Sequence, residues 1–198
     1  MSILSDREIK LLCQPNGNSD FIPMIEPYFP QQVKTRTTDG TIQKIVSFGQ
    51  SSAGYDVRLD RQFKIFKNTQ AQLIDPLDMK NNYYDDHEGD FCIIPANGYI
   101  LGITMETFHI PRDIIVISVG KSTLSRCGAV ANITPIEPGW VGKIVIEVSN
   151  GSSVPLKVYA GMGISQFIFH RLSSPCEISY DDRKGKYQGQ TNLQTALV

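Results

Sequence analysis

Turn-forming residues interrupt this chain at short intervals, and that spacing limits what it can fold into. Between clusters of Gly, Pro, Asn and Asp lie brief runs rich in β-branched and aromatic residues: 43–48, 55–59, 62–66, 91–94, 99–105, 114–119, 143–148, 156–159 and 164–169. Each reads as a strand. Many short strands with almost no helical periodicity predict a mostly β barrel or sandwich. One helix is predicted near the N-terminus. Ser5 and Glu8 fit a capping box, Ile9, Leu11 and Leu12 form an apolar stripe, and Gln14-Pro15-Asn16-Gly17 supplies the stop. Residues 76–90, PLDMKNNYYDDHEGD, read as a mobile acidic loop. The tail, 181–198, lacks periodicity and has the composition of a disordered segment. With no internal repeat, residues 1–198 are expected to form a single domain with one substantial core.

The bulk properties exclude several classes. A net charge of −1 gives no electrostatic case for nucleic acid polymer or an anionic membrane. No apolar run approaches the ~20 residues that span a bilayer. The start, MSILSDREIK, is soon polar and does not read as a secretory signal, so a cytoplasmic protein is expected. The four cysteines (13, 92, 127, 176) have no metal-ligand spacing and read as reduced thiols. The three histidines (87, 109, 170) fall in no zinc-ligand pattern, so no protein-bound metal is predicted.

Chemistry concentrates in 120–150, GKSTLSRCGAVANITPIEPGWVGKIVIEVSN. Gly120-Lys121-Ser122-Thr123 is not a Walker loop, because Ile115 stands where its first glycine belongs. A turn with Lys121, two hydroxyls and Arg126 still suits a polyphosphate, and it also suits a plain solvated turn. Alternation puts Ile144, Ile146 and Val148 on one face of a strand and Lys143, Val145 and Glu147 on the other. A desolvated Glu147 would have a raised pKa and could exchange protons. A solvent-facing Glu147, or one paired with Lys143, fits the same pattern. Glu137, between Ile136 and Pro138, has the setting of a turn residue. In Ser52-Ala53-Gly54-Tyr55-Asp56-Val57-Arg58, Asp56 and Arg58 share a face and could pair. The tail YDDRKGKYQGQ, from Tyr180 to Gln190, offers aromatics, cations and amides that could order over a ligand, or it is a frayed end.

Taken in order, SSAGYDVRL, GKSTLSRCG, ITPIEPGWVGKIVIEVSN, YAGMGISQFIF and YDDRKGKYQGQT resemble the dCTP deaminases, relatives of the trimeric dUTPases. The resemblance runs from about Ser5 to Thr191. It implies a distorted, dUTPase-like β barrel assembled as a homotrimer, with sites between subunits. It implies dCTP as substrate, dUTP and ammonia as products, magnesium carried on the triphosphate and no zinc. The His-x-Glu and Pro-Cys-x-x-Cys signature of zinc deaminases is missing here. The resemblance also makes dTTP a candidate feedback inhibitor.

Carried over position by position, Glu147 stands at the catalytic glutamate, and Ser122 and Arg126 stand where the water, the glutamate and the base are held. Lys121, Ser122 and Thr123 fall at the triphosphate. Lys121 replaces an arginine common in relatives, keeping the charge without the bidentate fork. Glu137 matches a sugar-contacting acid. Tyr180, Lys186 and Gln190 match tail residues that close over the nucleotide. Contacts to the base fall loosely on 133–136. Arg126 beside Glu147 would oppose the rise in its pKa. Three rivals remain: a bifunctional enzyme that also cleaves dUTP to dUMP and pyrophosphate, a plain dUTPase, and a nucleotide-binding regulator without turnover.

Overall fold

The computed structural model describes residues 2–14, 20–67, 73–77 and 83–197. In chain order its elements are β1 (Ser2–Ile3), α1 (Asp6–Cys13), β2 (Ile25–Glu26), β3 (Val33–Thr38), β4 (Thr41–Ser51), β5 (Gly54–Phe66), β6 (Tyr84–Glu88), β7 (Phe91–Ile94), β8 (Tyr99–His109), β9 (Ile114–Gly120), α2 (Ser122–Ser125), β10 (Ala129–Asn132), β11 (Val141–Asn150), β12 (Leu156–Tyr159) and β13 (Gly163–Arg171). The protein is mostly β, as its turn spacing predicts. Among the described residues, eleven strands share one sheet, whose main path runs β1-β13-β5-β8-β11-β10.

Strand β5 organises that sheet. Its first half pairs with β4 and β13, and its second half with β6 and β8. The runs 55–59 and 62–66, expected as two strands, are therefore one, with a register shift between Leu59 and Phe63. Such an irregularity increases local twist, and the sheet curls. Its far ends meet where Val116 of β9 and Ile136, just past β10, exchange backbone hydrogen bonds of 3.0 and 2.9 Å. The apolar faces of β5, β8, β11 and β13 turn inward, and Val57, Leu59, Ile103, Ile146, Phe167 and Phe169 are fully buried.

Helix α1 begins at Ser5 as predicted. The Ser5 backbone N–H and hydroxyl both donate to the Glu8 carboxylate at 3.0 Å. Its buried residues are Ile9 and Cys13, whereas Leu11 is exposed. The helical repeat places Leu11 off the line joining Ile9 to Cys13. The proposed stop at 15–17 lies outside the described residues. The acidic stretch 76–90 is not simply a loop. Tyr84–Glu88 forms β6, because each of its residues finds a ladder partner on β5; residues 78–82 lie outside the described set. Asp56 and Arg58, which could have paired, do not. Arg58 Nε donates to the buried Glu106 carboxylate at 2.7 Å, and Asp56 binds elsewhere. The cysteines are free, and no helix among the described residues is long and apolar enough to cross a membrane.

Candidate active site

Strand β11 presents the key carboxylate. Ile144, Ile146 and Val148 are buried on one face, so Glu147 projects from the other. Its register sets it between Asn132 of β10 and Leu101 of β8. That face borders a cavity of about 510 Å³, which Glu147 shares with Leu101, Trp140 and the segment 133–137. Burial pushes the Glu147 carboxyl above the usual glutamate range, against the pull of its own backbone N–H. Lys143, on the same face, donates to Asp60 at 2.6 Å instead, which removes the pairing with Glu147 as a reading. The site therefore holds a carboxylate disposed to take up a proton.

Two tyrosines that the sequence analysis did not single out stand on the same cavity wall. Tyr84 and Tyr99 bring their hydroxyls to 3.0 Å, and Phe66 stacks on Tyr99 at 4.7 Å between ring centroids. Ladder pairing explains the cluster, since Tyr84 lies opposite Phe66 and Tyr99 sits one residue along β8 from Ile100, the partner of Ile65. Burial raises the Tyr84 pKa, and the Tyr99 hydroxyl and the Glu147 charge add to the rise, so this phenol stays protonated at neutral pH. Trp140 and Tyr187 were also missed. Trp140 is the one tryptophan of the sequence and stands between turn glycines, a signal that could have marked it.

The tail is docked, contrary to its composition. The Lys143 backbone N–H donates to the Gln190 carbonyl at 2.7 Å, and the Gln190 side-chain amide returns a bond to the Lys143 carbonyl at 3.2 Å. This approach requires Gly142. Its φ is +136°, and a Cβ there would lie 2.8 Å from the Gln190 oxygen. Tyr180 packs on Trp140 at 5.2 Å, and its hydroxyl accepts the Tyr187 N–H at 3.2 Å. Asp182 accepts from the Ser179 N–H and hydroxyl and from Arg112 at 2.6–2.9 Å, which holds its pKa down at about 2. Specific pairing thus fixes a segment whose residue types alone predicted none.

The predicted site residues divide into two groups. Glu147, Glu137, Tyr180 and Gln190 line one cavity. Glu137 is ion-paired with Arg183 of the tail. Lys186 is not on that lining, and its ammonium donates to the Leu197 carbonyl at 3.3 Å. Lys121, Ser122, Thr123 and Arg126 belong to the α2 turn and do not line the cavity either. That turn lies beyond the Ala129–Asn150 end of the β10–β11 ladder, while Glu147 pairs at the Asn132 end. Ser122, Thr123 and Arg126 are exposed, and Lys121 is paired with Asp56. Within one chain Arg126 therefore has no part in the pKa of Glu147. Among the described residues no group of three or more His, Cys, Asp and Glu is placed to hold a metal ion.

Comparison with known proteins gives the family. The dCTP deaminase-like family pattern matches residues 25–172. The dCTP deaminase of Xanthomonas campestris pv. campestris (strain B100) is 47% identical over 193 residues, covering 98% of this chain and 97% of the relative. That of Xylella fastidiosa (strain M12) is 46% identical over 195 residues, with the same coverage. The chain belongs to the dCTP deaminase-like family. A 2'-deoxycytidine 5'-triphosphate deaminase structure from Agrobacterium tumefaciens superposes with a TM-score of 0.54 at 17% identity. It covers 85% of this chain, which spans only 47% of that longer one, and at such identity the likeness concerns the fold alone. The dCTP deaminase-like match includes both the α2 turn and Glu147, while Tyr180, Lys186 and Gln190 lie beyond its end at residue 172.

Proposed function

We propose that this protein hydrolyses the amino group from dCTP, giving dUTP and ammonia without zinc, as a homotrimer whose sites are shared between subunits. The observation that carries the reading is Glu147, a desolvated carboxyl of raised pKa facing a cavity large enough for a nucleoside. Glu147 takes a proton from a water as the oxygen bonds to C4 of the cytosine. It gives that proton to N3, then takes the remaining proton from the new C4 hydroxyl and passes it to the amine as the C4 carbonyl forms and the C–N bond breaks, so water is added and ammonia leaves. A carboxyl with a pKa nearer neutrality serves both proton transfers better than an ordinary one.

Sharing the site answers the division of its residues. Ser122, Thr123 and Arg126 are exposed away from the cavity of their own chain, free to meet the Glu147 of a neighbour. There Arg126 would orient the water and the base. The hydroxyls and backbone N–H groups of the turn suit a triphosphate, and magnesium arrives on its oxygens, neutralising charge. Glu137 faces the sugar, and Tyr180 and Gln190 hold the tail over it. dTTP shares the deoxyribose and triphosphate and is the expected competitor.

The test is incubation with dCTP and magnesium, with chromatographic separation of dUTP, dUMP and pyrophosphate. dUTP with ammonia is the expected result. dUMP with pyrophosphate would make the enzyme bifunctional and give Glu137 a chemical task. Intact dCTP and dUTP, with heat protection by dCTP, would leave a binding protein.

A further inference from the structure

The cavity wall beside Glu147 carries a hydroxyl pair with a proton to spare. Register puts Phe66, Tyr84, Tyr99, Leu101 and Glu147 on one face of the sheet. Leu101 lies directly opposite Glu147. Tyr99, two residues along β8, is the diagonal neighbour of Glu147 on the adjacent strand, within reach of an aromatic side chain. Tyr84 stands three strands away, on β6. Packed rings hold the pair in place. Phe66 lies nearly parallel to Tyr99, with 18° between the planes, and Tyr84 meets both edge-on at 73° and 84°. The two hydroxyls are 3.0 Å apart. One of their protons fills the bond between them, and the other has no acceptor among the described residues. The Glu147 carboxylate has the complementary need, since its partner within the chain is its own backbone N–H. The cavity of about 510 Å³ that they share has room for a water between them.

We infer that Tyr84 and Tyr99 are positioning residues for Glu147: Tyr84 donates to Tyr99, and Tyr99 donates its own proton, through one bridging water, to the Glu147 carboxylate. The direction follows from position, because Tyr99 is on the strand next to β11 and Tyr84 is farther out. A donor of this kind favours the ionised carboxylate, against the burial that opposes it, and fixes where the carboxylate points. The charges that face Glu147 from the surrounding elements are engaged elsewhere. Lys143 of β11 is held by Asp60, Lys64 of β5 by Asp86 of β6, and Arg183 of the tail by Glu137. The segment β10 contributes the neutral Asn132 opposite Glu147, and the tail adds Tyr180 and Tyr187 to the cavity. Arg126 of a neighbour in the proposed trimer would act from outside this chain and is common to every variant compared. The inference rests on the deaminase reading for its kinetic consequence alone.

The experiment compares wild type, Tyr99→Phe, Tyr84→Phe and the double variant, all of which keep the packed rings. Glutamate isotopically labelled at the carboxyl carbon gives the titration of Glu147 by NMR, with Glu147→Gln identifying its signal. The pH profile of kcat/KM for dCTP gives the acid limb. In Tyr99→Phe both midpoints are expected to rise by about 1 on the pH scale, so that kcat/KM below the limb falls about tenfold. Tyr84→Phe leaves the Tyr99 proton in place and should move both midpoints by about half as much or less. The double variant should match Tyr99→Phe, because the outer hydroxyl acts only through the inner one. Unmoved midpoints, with or without a fall in Tm, would make the pair a plain packing element and overturn the inference. Additive rises in the double variant would mean that each phenol acts alone by its polarity, and would overturn it too. So would a larger rise in Tyr84→Phe than in Tyr99→Phe. Wild type that fails to deaminate dCTP would refute the functional reading by itself. The carboxyl titration would then still decide whether the tyrosines position Glu147.

Discussion

At the scale of the residue, Glu147 is asked to carry opposite burdens. Its folded-state pKa lies above the ordinary value of about 4.3, so the folded protein binds more protons than the unfolded chain between those two values. Stability therefore falls as pH rises through that interval, and the ionised group is unfavourable to the fold at neutral pH. Glu147→Gln should abolish ammonia release, a loss of at least about 10²–10⁴-fold, yet leave Tm at pH 7 equal to or above that of wild type. Calorimetry beside an ammonia assay checks both halves; full activity would remove Glu147 from the mechanism. In wild type the acid limb of kcat/KM should titrate above the ordinary glutamate value, since the base must be ionised to act. Alternation along β11 made the direction of Glu147 legible from sequence. Its partners were not. Lys143 chooses Asp60, and Arg58 chooses Glu106, because those acids come from strands brought alongside only by folding. Tyr84 was hidden among acidic neighbours whose composition suggested a loop.

At the scale of the element, the tail and β11 form one unit through Gly142. Gly142→Ala would place a Cβ against the Gln190 backbone and strain a left-handed residue, at a cost of about 1–3 kcal/mol. We expect the tail to detach, KM for dCTP to rise, and limited proteolysis to cut within 181–190. Removal of 181–198 should weaken nucleotide closure similarly, and unchanged kinetics after truncation would reduce the tail to a frayed end. Asp182 anchors this segment. Its lowered pKa means that its contribution, present above the ordinary carboxylate value, is lost only as pH falls through about 2. The tail should therefore stay docked across the whole working pH range. Strands were legible where β-branched residues alternate, and α1 where its cap is written locally. The docking of the tail was not, because its information lies in a glycine dozens of residues away.

At the scale of the whole molecule, the separation of Ser122 and Arg126 from the cavity predicts complementation. Glu147→Gln and Arg126→Ala should each be inactive alone. Reassembled together at equal concentration, they should regain about a quarter of wild-type activity, because that share of sites combines an intact Glu147 with an intact Arg126 from a neighbour. Sedimentation should give a trimer, and recovery of no activity on mixing would place each site within one chain. No local pattern could reveal the proposed shared site, since it would join exposed side chains of separate molecules; only the family resemblance pointed to it. The placing of β5 has a further consequence, for time rather than for shape. This strand must wait for β13, over ninety residues later in the chain, before its first half is covered on both sides. Closing so long a loop is slow. A refolding chain should spend milliseconds to seconds with an unpaired β-edge exposed, so concentration during refolding, more than final stability, will decide how much protein is recovered.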